Sequence, residues 1–320
     1  MRKQAGLSLI ELMIAITLGL ILMAGVIQVF LSSRVTFATQ QAMSRVQETG
    51  RLAVEFMARD IRMAGYMGCT SRSGAFSDTA GNVAGFHRDF AEGIQGFATV
   101  PAGINLSPAP IAGSDILVVR TADRVPLLAA GSNEVNSFSA QVIDSDIEDN
   151  CSSGICVGDV VAASDCIDTR VFLVNQLTSS GETTLKIGGG VIAADNFTTG
   201  AELVPVRTYV YYIAPSTADA ARPSLWQSVD GENGQELLEG VERLRLTFGR
   251  NGESGYVPTT PAPSWPNVNS VRIEMVIASV DDNVLEERQK YSFAGAEVTA
   301  PDLRLRQVFL NTIAIRSNMQ

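Results

Sequence analysis

Few side chains in this sequence can do covalent or metal chemistry. There are four cysteines, Cys69, Cys151, Cys156 and Cys166, and one histidine, His87. No two cysteines form a C-x-x-C pair, so a zinc site would lack both its spacing and its imidazoles. His87 lies in Gly85-Phe86-His87-Arg88-Asp89, away from any G-x-S-x-G element that would present a nucleophile to it. It reads as a surface or packing residue. Gly188-Gly189-Gly190 lacks the Lys-Ser/Thr that completes a phosphate loop and reads as a turn. The acidic run Asp144-Ser145-Asp146-Ile147-Glu148-Asp149-Asn150 offers hard oxygen atoms to calcium. It has neither the glycine nor the distal glutamate of an EF-hand, and reads as a solvated loop. No cofactor, metal or catalytic residue is expected, and a membrane-anchored periplasmic enzyme is the least favoured class.

One carboxylate stands apart because of where it is. Glu11 is the only charged residue between Leu7 and Leu31. At ~1.5 Å per residue that run is long enough to cross a ~30 Å hydrocarbon core with some tilt. An ordinary secretory signal would end in a small-residue A-x-A site and would not carry a carboxylate within its apolar region. Arg2 and Lys3 precede the run. The positive-inside rule therefore places the N-terminus in the cytoplasm and everything after the span on the far side.

The elements that position this carboxylate follow from periodicity. Residues 1–100 contain no proline, and from Ser32 to Ala64 apolar side chains recur at helical spacing: Val35, Ala38, Ala42, Val46, Ala53, Phe56 and Met57. A single helix from Leu7 to about Ala64 is expected, on the order of 87 Å long, with Gly19, Gly25 and Gly50 as its weak points. Arg34, Arg45, Glu48, Arg51, Glu55, Arg59, Asp60 and Arg62 read as its solvated face.

Gly65-Tyr66 ends that pattern, and short extended runs take over. Strands are expected at Asp115–Arg120, Asp159–Ala163, Arg170–Asn175, Thr183–Ile187, Val204–Ile213, Val241–Phe248, Val271–Val280 and Leu303–Ile315. Loops are expected at Pro101–Gly113 and Asn251–Asn267. The fold class is α+β: a long N-terminal helix packed on a large, mainly antiparallel sheet. The expected organisation is a leader (1–6), a transmembrane half-helix (7–31), an amphipathic half-helix (32–64) and one globular head (65–320). The formal net charge of −10, without a basic stripe, argues against direct nucleic-acid binding. In an exported head, four cysteines suggest disulfides. Of the three connectivities, Cys151 with Cys156 and Cys69 with Cys166 is favoured, the second tying the helix end to the sheet.

Gly6-Leu7-Ser8-Leu9-Ile10-Glu11-Leu12-Met13 closely resembles the prepilin cleavage and methylation motif. Asp60 to Cys69, Gly158 to Cys166, Leu238 to Glu242 and Leu303 to Arg316 resemble the PilW family of minor pilins. The resemblance implies that a membrane aspartyl peptidase, the prepilin peptidase, cuts after Gly6 and then methylates the new amine of Leu7, and that Glu11 steers subunit docking. It further implies an inner-membrane protein with a periplasmic head. This subunit would prime assembly of a type IV pilus with other minor pilins and the major pilin, near the tip and beside a PilY-type adhesin. The J-type minor pseudopilins of type II secretion share the N-terminal design and are the nearest alternative.

Overall fold

The computed structural model describes residues 9–69, 75–78, 86–88, 90–123, 126–189, 193–194 and 196–316. Gly6 and Leu7 lie outside the described residues. One α-helix, Leu9–Arg62, runs unbroken through Gly19, Gly25 and Gly50. Its 54 residues make it about 81 Å long.

Two kinds of surface divide this helix. Every residue from 9 to 38 is exposed, including Leu12, Ile16, Leu20, Ile27 and Phe30. Farther along, Ala42, Val46, Gly50, Ala53, Met57, Ala58 and Ile61 form a buried stripe at steps of three and four. Small residues dominate the stripe, which lets the helix backbone approach the sheet closely. Two assignments differ from expectation. Val35 and Phe56 are 47% and 44% exposed and lie off the stripe. Asp60 is turned toward the head rather than solvent, because its Oδ2 accepts a 2.6 Å hydrogen bond from the hydroxyl of Tyr211.

The helix lies on a four-stranded antiparallel sheet in the order Tyr256–Pro258, Val241–Arg250, Val268–Ala278, Arg306–Ala314. Leu244, Leu246 and Phe248 oppose Met275, Ile273 and Val271 on neighbouring strands, and all six are fully buried. With Ala53, Met57, Ile61 and Ile313 they form one core. Each large side chain buried this way contributes roughly 1.5–3 kcal/mol. The Tyr256–Pro258 strand falls within the expected Asn251–Asn267 loop; its three residues are too few to show a period.

Among the described residues a second, 11-stranded sheet makes up most of the rest of the head, beside two two-stranded hairpins. Part of it closes on itself. Leu127–Ala129, Ser137–Gln141, Thr184–Gly189, Asp168–Ser179 and Val160–Ser164 pair in that order, all antiparallel, and Glu202–Pro215 completes the ring. The closure is visible at Glu202, which pairs with Leu128 on one side and Ser164 on the other. Inside the ring the Phe138 and Phe172 rings stack at 5.3 Å, beside Phe197, Leu185 and Leu203. The second half of Glu202–Pro215 leaves the ring and pairs with Ile116–Ala122 and Pro223–Val229. One long strand thus belongs to both halves of the head.

The chain crosses from this sheet to the four-stranded one at Gly240. Its φ of 87° is a left-handed conformation, and a β-carbon there would meet the carbonyl oxygen of Ala278 at 2.7 Å. Both conditions require glycine. Asp115, expected to begin a strand, lies just before it and together with Ser114 pins the two sheets together. The Leu244 N–H donates to Ser114 Oγ and the Leu246 N–H to Asp115 Oδ2, at 3.0 and 2.7 Å.

Candidate functional site

Glu11 sits in the first turn of the helix and is exposed, surrounded by the exposed apolar side chains Leu9, Ile10, Leu12 and Ile14. A carboxylate so placed near a helix N-terminus is favoured by the helix dipole. The apolar segment that carries it passes the length and composition test for a membrane span, and none of its most apolar stretch is buried. An apolar helix without cover in the monomer needs lipid or other helices around it.

The far end of the helix is fastened to the head by several groups. Tyr211 receives a 2.6 Å hydrogen bond from Gln227 Nε2 while donating to Asp60. Burial raises the Asp60 carboxyl above its ordinary range, against the hydrogen bond from Tyr211 and the charge of Arg59. Seven residues after the helix, Cys69 is bonded to Cys166, with their Cα atoms 4.8 Å apart. Cys166 occupies the turn between two ring strands, so this bond joins the helix end to the ring. Cys151 and Cys156 are bonded across a two-stranded hairpin.

Two segments singled out in the sequence meet at a charge network. Arg306, with a side chain that is 0% exposed, donates through Nε and Nη2 to Glu242 at 2.7 and 2.9 Å. Its Nη1 and Nη2 also reach Asp302 at 2.6 and 2.9 Å. Arg304 joins through Glu242 and Asp302. The network fixes the start of the edge strand Arg306–Ala314, three residues later than expected at Leu303, because Asp302 to Arg304 form the turn that aims the carboxylate. Hydrogen bonds from Arg306 hold the Asp302 carboxyl well below the usual carboxylate range.

His87 is half-buried in a short 3-10 turn; its carbonyl accepts from Thr208 Oγ1, and its ring edge meets Phe86 at 5.7 Å. Burial pushes its imidazole below its ordinary value, followed by the effect of Arg120. Among the described residues no group of three or more His, Cys, Asp or Glu side chains is placed to hold a metal ion. The side chains of Asp144, Asp146, Glu148 and Asp149 belong to an exposed loop.

A methylation motif, an exposed apolar helix, and the packing of that helix's second half on an antiparallel sheet define a type IV pilus-related pilin. Residues 210–317 match the family model described as Type IV Pilus-assembly protein W, and residues 1–27 match the Prokaryotic N-terminal methylation motif. Both describe pilus assembly or pilin processing rather than an enzyme. No curated protein and no solved structure matches the chain. The PilW match opens inside the Glu202–Pro215 strand and takes in the whole four-stranded sheet. The first five ring strands named above, from Leu127 to Gly189, lie outside both matches.

Proposed function

We propose that this chain is a minor pilin that helps prime a type IV pilus and is incorporated into it near the tip. The prepilin peptidase removes residues 1–6 after Gly6, the amine of Leu7 is methylated, and the head faces the periplasm before assembly. Other minor pilins, the major pilin and a PilY-type adhesin are its neighbours, and Glu11 docks against the methylated amine of an adjacent subunit.

The single observation carrying this reading is the division of the helix. Its first 30 described residues expose an apolar surface, while its last turns are buried in the head. That arrangement suits a subunit held in a bilayer and then transferred into a bundle of like helices. The PilW match favours a pilus over a secretion pseudopilus.

Deletion and recovery in the native host test the proposal. Sheared filaments are expected to contain the subunit with N-methyl-Leu7 as its first residue, and a deletion strain is expected to make fewer pili. Filaments lacking the subunit, or an unprocessed N-terminus within them, would overturn the assignment.

A further inference from the structure

The edge of a β-sheet presents main-chain groups without partners, and proteins ordinarily blunt it with short strands, charges or proline. The four-stranded sheet has two such edges. One, Tyr256–Pro258, is three residues long and ends in proline. The other, Arg306–Ala314, is nine residues long, and from Gln307 to Ile315 the chain carries no charge, proline or glycine.

Which of its groups face outward follows from the bonds at its two ends. The Ser279 N–H donates to the Leu305 carbonyl and the Ile315 N–H to the Asn269 carbonyl, both at 2.8 Å, and the register between them is unbroken. Odd-numbered residues therefore turn their N–H and C=O toward Val268–Ala278, and even-numbered ones turn theirs away. At Arg306 the side-chain amide of Gln289 closes the edge. The Arg306 N–H donates to Gln289 Oε1 and its carbonyl accepts from Gln289 Nε2, both at 2.8 Å, so one side chain imitates one residue of an added strand. The outward main-chain groups of Leu310, Thr312 and Ala314 have no such partner among the described residues. All three residues are exposed, Leu310 by 63%.

The open stretch runs beside the helix. Leu305 packs with Ala42, Phe309 lies against Gly50, and Arg316 lines a groove with Leu52, Phe56 and Met63. The strand thus climbs along the part of the helix that the head covers. We infer that this edge accepts an extended segment of a neighbouring pilus subunit, which adds a fifth strand to the sheet. Main-chain hydrogen bonds to Leu310, Thr312 and Ala314 supply the affinity, and side chains at alternate positions supply the selectivity. Exposed Leu310 favours an apolar residue beside it, and Asn311, on the opposite face, a polar one. The segment is therefore uncharged where it pairs, alternates apolar with polar residues, and has no proline facing the edge. The inference rests on the function proposed above for the identity of its partner, but not for the pairing chemistry.

Amide hydrogen exchange on the isotope-labelled full-length chain in detergent micelles tests the pairing. The probe is the peptide acetyl-Glu-Thr-Val-Thr-Val-Thr-Glu-amide, whose end glutamates keep it soluble. The Leu310 and Thr312 N–H groups are expected to exchange freely in the chain alone and about tenfold or more slowly with the peptide, while its fully N-methylated counterpart leaves them unchanged. Thr312→Pro removes a donor that points outward, so its unfolding midpoint should stay near that of the wild type. Asn311→Pro removes one that points inward and should lower it. In cells, Thr312→Pro and Leu310→Lys are expected to be processed normally and recovered in filaments at a several-fold lower level. Unchanged exchange with the peptide, equal loss of stability in the two proline variants, or normal incorporation of both Thr312→Pro and Leu310→Lys would each overturn the inference. So would a wild-type chain that sediments as a dimer where Leu310→Lys is a monomer, because the occupant would then be a second copy. Absence of the wild-type subunit from filaments would instead overturn the proposed function, and the peptide titration would still report on the edge.

Discussion

The ring of Phe309, on the edge strand, lies against Gly50 in the last quarter of the helix and occupies the space a β-carbon would need. In an open helix Gly→Ala is stabilising by about 1 kcal/mol. Here the added methyl must displace an aromatic ring, and overpacking of that kind costs typically 1–3 kcal/mol. Gly50→Ala should therefore destabilise the protein. In a Phe309→Ala background the same change should stabilise it. Denaturant unfolding of the two single variants and the double variant in detergent measures the coupling, and an unchanged sign would show that the contact does not set the helix position.

The disulfides should differ in worth because they close chains of very different length. Cys69 and Cys166 are 97 residues apart, Cys151 and Cys156 only 5. In the chain-entropy model these correspond to about 4–5 and about 2 kcal/mol. Cys69→Ser with Cys166→Ser should lower the unfolding midpoint clearly more than Cys151→Ser with Cys156→Ser. Equal midpoints would mean that packing already restrains the helix end against the ring.

The Arg306 network predicts a dependence on pH with a definite sign. Asp302 is depressed below its ordinary value, first by hydrogen bonds from Arg306. For Glu236, burial alone would raise the carboxyl, yet hydrogen bonding, including that from the Thr217 N–H and hydroxyl, outweighs it and holds the group at about 2. Groups depressed in the folded state contribute stability above their unfolded pKa and lose it as the pH falls toward the folded value. Asp60, Asp115 and Asp230 are raised by burial and act in the opposite direction. The clean measurement is thus a difference between variants: the loss of thermal stability between about pH 5 and about pH 2.5 should be smaller in Asp302→Asn than in the wild type. An identical loss would remove the network from the acid response. At neutral pH Glu242→Gln should destabilise by about 3–5 kcal/mol, since it leaves buried Arg306 short of a counter-charge.

These side chains show what was legible in the sequence. Val271, Ile273, Met275 and Ile277 announce a strand because one face is buried and the other is not, so the period of two is in the residues themselves. Leu127–Ala129, Ser137–Gln141 and Gln235–Glu239 carry no such signal; Ser137–Gln141 reads Ser-Phe-Ser-Ala-Gln. The first two are stabilised by ring closure and by partners distant in sequence, as when Leu128 pairs with Glu202, and the third by pairing with Pro223–Val229. Asp60 was misplaced for a similar reason. A charge at helical spacing beside Arg59 and Arg62 resembles a solvated face, and only the position of Tyr211, 151 residues later, turns it inward. Glu11, by contrast, is conspicuous in one dimension, because a charge in an apolar run needs no tertiary partner to be noticed.

That conspicuous residue carries the last prediction. Glu11 lies in the first turn of the helix amid exposed apolar side chains, four positions after the proposed mature terminus at Leu7. A carboxylate at the centre of a membrane helix costs roughly 2.5–3.5 kcal/mol on insertion scales. Near the helix end the cost is lower, because the side chain can reach toward the interface. Insertion should therefore tolerate either glutamate or alanine at this position, and cleavage after Gly6 acts on a peptide bond several residues before Glu11 in the chain. Assembly is different. If Glu11 neutralises the methylated amine of an adjacent subunit, docking brings two poorly solvated charges together, and removing one leaves the other uncompensated at a cost of about 3–5 kcal/mol. Glu11→Ala should consequently be inserted and processed at near wild-type level, as immunoblots of membrane fractions would report. Its amount in sheared filaments should fall several-fold, together with the number of pili per cell. Glu11→Asp keeps the charge on a shorter stem and should recover part of the loss, which separates charge pairing from a general defect in the helix. Normal incorporation of Glu11→Ala would leave the helix as an anchor alone.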